Sequence, residues 1–227
     1  VEPDGDLGLV LRFNRTQRAV HWLHAGGFVL ALLSGLALLV GAAEELIGHR
    51  FVLRVIHIGA GLTFALAPLL AARLGDWHSI RADFRAAQWW DAEDRRFFAI
   101  TDDSGGSRAG RFNAGQKANL MFTAAATLFF LISGAIMWQY FRFDRALVQN
   151  AGMLHDTLTF TILVVWLGHL WYALVNPRTR HSMRGMLSGY VDRSWAASVH
   201  PRWLGQPNAS SAAEMKIDRA AKQEGGL

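Results

Sequence analysis

The chain has 227 residues, 52% of them hydrophobic, with nine tryptophans, no cysteine and a formal net charge of +5. Without cysteine it forms no disulfide, no thioether-attached c-type haem and no iron–sulfur cluster of its own. No basic tract is interleaved with aromatics, which excludes a nucleic-acid groove as the origin of the positive charge.

Residues 1–10 show no periodic pattern and are expected to be irregular, with no cleavable signal; Val1 in place of Met is compatible with a processed terminus. Charge-free stretches then run over 19–43, 55–72 and 118–141, and a fourth, 152–175, carries only Asp156. Each has about 18 residues or more, the length that crosses a hydrocarbon core of roughly 30 Å as a helix. Lipid offers no partner to a backbone N–H or C=O, so helices are the expected form. The expected fold class is therefore all-α, a bundle of four membrane-spanning helices. Three segments follow: 1–18 before the bundle, 19–176 for the bundle with its long connection 73–117, and 177–227 after it. The stretch beyond Trp203 is small and polar and is expected to be a mobile tail.

Orientation comes from the 23 basic residues, of which only Arg50, Arg54, Arg142 and Arg145 lie in the two short connections. The other 19 precede the first helix, occupy the long connection or follow the fourth helix. Positive-inside bias then puts both termini and the long connection in the cytoplasm. Topology and contact with anionic lipid account for the net charge.

Of the nine histidines, His49, His78, His181 and His200 fall outside the spans and are expected to be solvated or at headgroup level. His21, His24, His57, His155 and His169 lie within helices, where an ionisable side chain is costly and points to function. His155 and His169 are fourteen residues apart, about 21 Å in height and within roughly 40° of a whole number of turns, so they share a face. By depth His57 matches His155, and either His21 or His24 matches His169. Two stacked pairs result. Two imidazoles from facing helices suit the axial positions of a haem, which is then confined to electron transfer. With no cysteine, the haems would be non-covalent and of b type. Gly35, Gly59, Ala60 and Gly61 are small residues at the outer level that would admit such a group, although helix packing also uses them. Zinc would need three or four ligands at one height, and a haem-free proton or metal transporter would want carboxylates beyond Asp156.

Four stretches in order, "RAVHW" (18–22), "RVIHIGAG" (54–61), "GRFNAGQK" (110–117) and "LGHLWYAL" (167–174), resemble the cytochrome b (gamma) subunit of membrane-bound formate dehydrogenases. The similarity runs from about Arg12 to Trp203 and includes "SMRGMLSGYVDRSWA" and "HPRW". Related b-type cytochromes serve nickel–iron hydrogenases and thiosulfate reductases, and the "FNAGQK" loop points to the formate dehydrogenase branch. The resemblance implies two b haems, the outer held by His57 and His155 and the inner by His21 and His169, with His24 a bystander. Asp156 departs from the small apolar residue expected after that ligand. The resemblance also implies a quinone site beside the inner haem, with Asn113, Gly115, Gln116 and His169 as its candidates. By the residues alone, Asn113 reads as the N-cap of the third helix. Lys117 and Arg111 stand available to haem propionates or to lipid. The implied partners are the catalytic (alpha) and iron–sulfur (beta) subunits, membrane lipid and quinone, in a trimer of three-subunit complexes at a bacterial inner membrane. The implied role is to carry electrons inward from the periplasmic partner to quinone on the cytoplasmic side. Two electrons crossing against 100 mV store about 4.6 kcal/mol.

Overall fold

The structure, a computed structural model, describes residues 8–40, 50–97 and 109–205. The expectations for 1–7, for His49 and for the tail beyond 205 lie outside the described residues.

Four long apolar helices are present, as the charge-free stretches require: α1 (Arg15–Leu39), α2 (Arg50–Leu74), α5 (Ala114–Trp138) and α6 (Arg145–Leu170). They begin and end up to several residues away from those stretches, because caps rather than charges set helix limits. Asn14 caps α1 and Asn113 caps α5. In both, the Asn side chain accepts the N–H of the residue three on, and that glutamine (Gln17 or Gln116) returns a bond to the cap N–H. Asp144 caps α6 and accepts the Leu147 N–H at 2.9 Å. The α-helix of α6 passes at its end into a π turn over Trp171–Val175.

The long connection is not featureless. It holds α3 (Trp77–Gln88) and α4 (Ala92–Phe97). The α2–α3 corner sits against the start of α1: the Asp76 N–H donates to Thr16 Oγ1 at 2.9 Å. A Cβ on Gly75 would lie 2.4 Å from that same oxygen, so only glycine fits there.

The fold is helical, with one short strand ladder added to it. Leu9–Leu11 forms a strand, β1, that pairs antiparallel with β2 (Tyr190–Asp192), Val10 opposite Val191. Three short helices flank β2 in sequence, α7 (Ser182–Leu187) before it and α8 (Arg193–Val199) and α9 (Pro201–Leu204) after it. Alternation over three residues is too short to mark a strand in the sequence. Gly189, at φ +98°, makes the turn into β2, and its carbonyl receives the N–H groups of Arg12 and Phe13 at 2.8 and 3.1 Å.

Helix α1 packs most extensively on α2, and α5 on α6, giving two hairpins joined through α2 and α5. Gly27 lets α1 and α2 touch: a Cβ there would lie 2.6 Å from the Phe64 backbone. Mid-bundle, Phe28, Leu32, Phe64, Ala126 and Ile162 form a buried apolar layer, with Phe130 and Trp166 packed against it. The polar elements β1, β2, α3, α4 and α7 to α9 gather at one end, where α1 and α5 begin and α2 and α6 finish.

Candidate functional site

The structure brings His57 of α2 and His155 of α6 together, ring centroids 6.1 Å apart, and His21 of α1 and His169 of α6, 6.3 Å apart. A first-row metal binds imidazole nitrogen at about 2.0–2.1 Å, and the ring centre lies about 1.2 Å behind that atom. Two imidazoles trans across one ion would thus have centroids about 6.4 Å apart. Both pairs have the spacing of two rings sharing one metal ion. Among the described residues no three His, Cys, Asp or Glu side chains gather into a metal site. Each pair therefore fits a metal whose remaining positions a planar ligand fills, which is the donor set of a b haem.

The two levels differ in their support. At the outer level His57 Nδ1 lies 3.1 Å from Ser34 Oγ and 3.0 Å from the Ala31 carbonyl, and His155 Nδ1 lies 2.9 Å from Ser133 Oγ. Gly35, after Ser34, faces the His57 ring, and Gly134, after Ser133, faces His155. Gly59 and Gly61 have open space where a side chain would be. At the inner level neither His21 nor His169 makes a side-chain hydrogen bond among the described residues; His21 packs edge-on against Trp22 at 5.2 Å. The aromatic layer around Phe28, Phe64 and Trp166 lies between the two levels. Asp156 is exposed.

His24 belongs to neither pair. Its Nδ1 lies 3.1 Å from the Phe64 carbonyl and its ring is 4.2 Å from the Phe64 ring. That carbonyl lacks its usual helical partner, because the residue four on is Pro68, which has no N–H.

At the polar end, two expectations are corrected. Lys117 and Arg111 are engaged by protein carboxylates: Lys117 Nζ donates to Asp94 at 2.6 Å and to the Trp89 carbonyl at 2.8 Å, and Arg111 pairs with Asp83. Lys117 is only 7% exposed, because the start of α5 is roofed by α3 and α4. His200 is not solvated but 1% exposed, with Nδ1–H donating to the Gly110 carbonyl at 2.8 Å and Nε2 facing Arg12 Nη2 at 3.3 Å. Burial first, then the Arg12 charge, pushes the His200 pKa down to about 3, so this imidazole is neutral at physiological pH. Arg12, 2% exposed, lies over the Trp203 ring at 4.3 Å. Burial and Arg111 lower its pKa to about 9, Asp83 acting in the opposite sense, so it keeps its charge at neutral pH. Three segments remote in sequence are thereby locked together. No local pattern marks such a contact.

The "GRFNAGQK" loop has an internal counterpart. "RFNRTQ" at 12–17 and "RFNAGQ" at 111–116 begin with Arg12 and Arg111, 99 residues apart, and each of these arginines donates to the other's backbone carbonyl. Ser34–Gly35 and Ser133–Gly134 stand at the same interval. The two copies differ in their side-chain amides. In the first, Asn14 Nδ2 donates to Asp76 and Ser79 and Gln17 Nε2 donates to Asp83. In the second, the Asn113 and Gln116 carbonyls serve the cap, while their NH2 groups make no hydrogen bond among the described residues.

Four apolar helices with paired histidines inside them define an integral membrane protein of the cytochrome type. A family model described as prokaryotic cytochrome b561 matches residues 12–189, and the chain belongs to that family. It is 28% identical over 200 residues to the formate dehydrogenase cytochrome b556(fdo) subunit of Escherichia coli (strain K12), covering 86% of this chain and 91% of that one. To the formate dehydrogenase cytochrome b556 subunit of Haemophilus influenzae it is 26% identical over 225 residues, 95% of this chain and 91% of the other. The nitrate-inducible cytochrome b556(Fdn) subunit of Escherichia coli (strain K12) is 26% identical over 208 residues, at 86% and 90% coverage.

Proposed function

We propose that this chain is the dihaem cytochrome b subunit of a formate dehydrogenase, carrying electrons across the inner membrane from an iron–sulfur partner to quinone. The observation that carries the reading is the pair of imidazole separations, 6.1 and 6.3 Å, at two levels of one bundle. His57 and His155 would hold the outer haem iron and His21 and His169 the inner one. When bound, each haem would supply reversible one-electron transfer. The chain's own task is to fix the two groups at a set separation and to keep water from between them, which the aromatic layer of Phe28, Phe64 and Trp166 accomplishes. Residues 19–176 form the dihaem unit, and the polar layer built from the long connection and residues beyond 176 lies in the cytoplasm, where its arginines favour it.

The proposed quinone site is the start of α5. The NH2 groups of Asn113 and Gln116 are donors left over by the cap, in contrast to those of Asn14 and Gln17, and Gly115 places no side chain between them. A quinone carbonyl needs such donors. His169 at the inner level and the π turn two residues beyond it complete the candidate set.

The test is haem content by visible spectrum in the purified complex. His57→Ala or His155→Ala should remove one haem and His21→Ala or His169→Ala the other, with both retained in His24→Ala. A chain without haem would be a transporter or other metal protein instead. A hydrogenase large subunit copurifying with it would move the chain to that branch of cytochromes.

A further inference from the structure

We propose that Ser34 and Ser133 are positioning residues for the outer histidine pair, each hydroxyl oxygen accepting the Nδ1–H of one imidazole and so directing its Nε2 towards the other ring. The proposal rests on the reading of His57 and His155 as axial ligands.

The tautomer follows from where the serine protons go. Ser34 Oγ donates to the Leu30 carbonyl at 2.6 Å and Ser133 Oγ to the Phe129 carbonyl at 2.7 Å, each one turn back on its own helix. A serine hydroxyl has a single proton, so towards the imidazole it can only accept. The Ser34–His57 contact at 3.1 Å and the Ser133–His155 contact at 2.9 Å therefore require a proton on each Nδ1. The Ala31 carbonyl, 3.0 Å from His57 Nδ1, imposes the same tautomer independently, since a carbonyl only accepts. A neutral imidazole protonated at Nδ1 carries its lone pair on Nε2, the atom free to bind a metal. Both serines are buried, Ser133 to 1% exposure, so water does not compete for the bond.

The glycines that follow complete the device. A Cβ at Gly35 would stand 3.0 Å from His57 Cε1, and at Gly134 3.6 Å from His155 Cε1. Serine thus holds one edge of each ring, and glycine makes room for the adjacent carbon. The arrangement occurs once on each hairpin, at the interval of the internal repeat. Among the described residues the inner pair has no such hydroxyls, and it serves as a control within the same molecule.

An acceptor on the nitrogen that does not face the metal makes a histidine ligand more basic and holds its orientation. A more basic axial ligand favours ferric over ferrous iron, so removing the acceptor should raise the midpoint potential of one haem only. Among the described residues His155 has Ser133 alone as acceptor, whereas His57 keeps the Ala31 carbonyl when Ser34 is lost. Ser133→Ala should therefore shift the ferric/ferrous equilibrium about three- to tenfold, tenfold being about 59 mV for one electron. Ser34→Ala should do less.

The experiment is a redox titration of both haems in the intact complex, with low-spin ferric EPR, for Ser133→Ala, Ser34→Ala, Thr127→Val and His155→Ala. Thr127 is a control on α5, its hydroxyl donating to the Thr123 carbonyl one turn back on its own helix. An upward shift of one haem in Ser133→Ala, smaller in Ser34→Ala and absent in Thr127→Val, supports the proposal. If His155→Ala loses one haem but Ser133→Ala keeps wild-type potentials and EPR, the positioning role is wrong and the ligand reading stands. If His155→Ala keeps both haems, the ligand reading fails and the positioning role falls with it. Should Ser133→Ala lose the haem, Ser133→Cys preserves most of the volume with a weaker acceptor. Retention with a raised potential there supports the proposal, and loss in both variants overturns it in favour of packing.

Discussion

His24 provides the sharpest test of how the bundle tolerates a histidine that holds no cofactor. Pro68 removes an N–H from α2, and the Phe64 carbonyl is left without its helical partner in a region where no water is available. His24 Nδ1 meets that carbonyl at 3.1 Å from α1. Replacing His24 by Phe keeps an apolar ring against Phe64 but strands the carbonyl. An unmade buried bond costs about 1–3 kcal/mol in general, and interhelical bonds in membranes average about 0.6 with a maximum near 1.7. His24→Phe should therefore lower stability by about 1–1.5 kcal/mol, or roughly 3–5 °C by the scaling of domains this size. In Pro68→Ala the helix regains its own N–H, and His24→Phe should then cost little. The assay is thermal unfolding of the detergent-solubilised complex for the four proteins of this double-mutant cycle, with haem content alongside. Equal loss from His24→Phe in both backgrounds would refute the pairing of His24 with the proline-freed carbonyl. Loss of a haem in either would return His24 to the ligand set.

Gly27→Ala should destabilise by about 1–3 kcal/mol or more, since its Cβ would meet the Phe64 backbone at 2.6 Å, whereas Gly26→Ala, with nothing within 4 Å, should be neutral; thermal unfolding of the pair checks this. Asn113→Asp keeps an N-cap but loses the free amide donor, so formate-to-quinone turnover should fall about 10- to 100-fold while formate still reduces both haems. Unchanged turnover would leave the loop as a helix cap alone. For the polar layer, a folded pKa of about 3 for His200 lies below its unfolded value of 6.5, so this contribution to stability is complete above pH 6.5 and fades as pH falls towards 3. Limited proteolysis between the β1–β2 layer and the bundle should accelerate from pH 7 to pH 4, and His200→Gln should flatten that dependence. Asp91, held down to about 2 chiefly by Arg202, loses its contribution only below about pH 4 and does not confuse the window.

The membrane helices and the two histidine pairs were legible in the sequence because each rests on a local rule. Apolar length sets a span, and a fourteen-residue interval sets a shared face. The choice of His21 over His24 was not legible from depth, since three residues separate them. It turns on the Phe64 carbonyl, which Pro68 leaves without its helical partner and which lies forty residues away from His24 in sequence and one hydrogen bond away in space. The burial of His200 and of Lys117 was illegible for the same kind of reason: Arg12, Gly110, Asp94 and Trp89 approach them from other segments. A Ser-Gly step on α1 or α5, taken singly, is no more than an ordinary small-residue helix contact. The 99-residue interval that the two steps share with Arg12 and Arg111 was the signal that set them apart from such contacts.

That interval also bears on why the two ends of the bundle differ. The outer pair is nearly symmetric, each histidine held by a Ser-Gly step from the other helix of its own hairpin. The inner pair cannot arise from the repeat. The position 99 residues after His21 is Leu120, and the one 99 before His169 is Leu70. Its ligand candidates come from the start of α1 and the end of α6 and have no counterparts. The same end holds the π turn after His169 and the cap whose amides are spent on Asp76, Ser79 and Asp83 in one copy and make no hydrogen bond among the described residues in the other. Under the proposed function the outer end need only receive an electron, a task that two equivalent imidazoles serve. The inner end must also grip a substrate and admit protons, which demands unpaired donors on one side only. Departure from the internal repeat is thus concentrated where the proposed chemistry requires it.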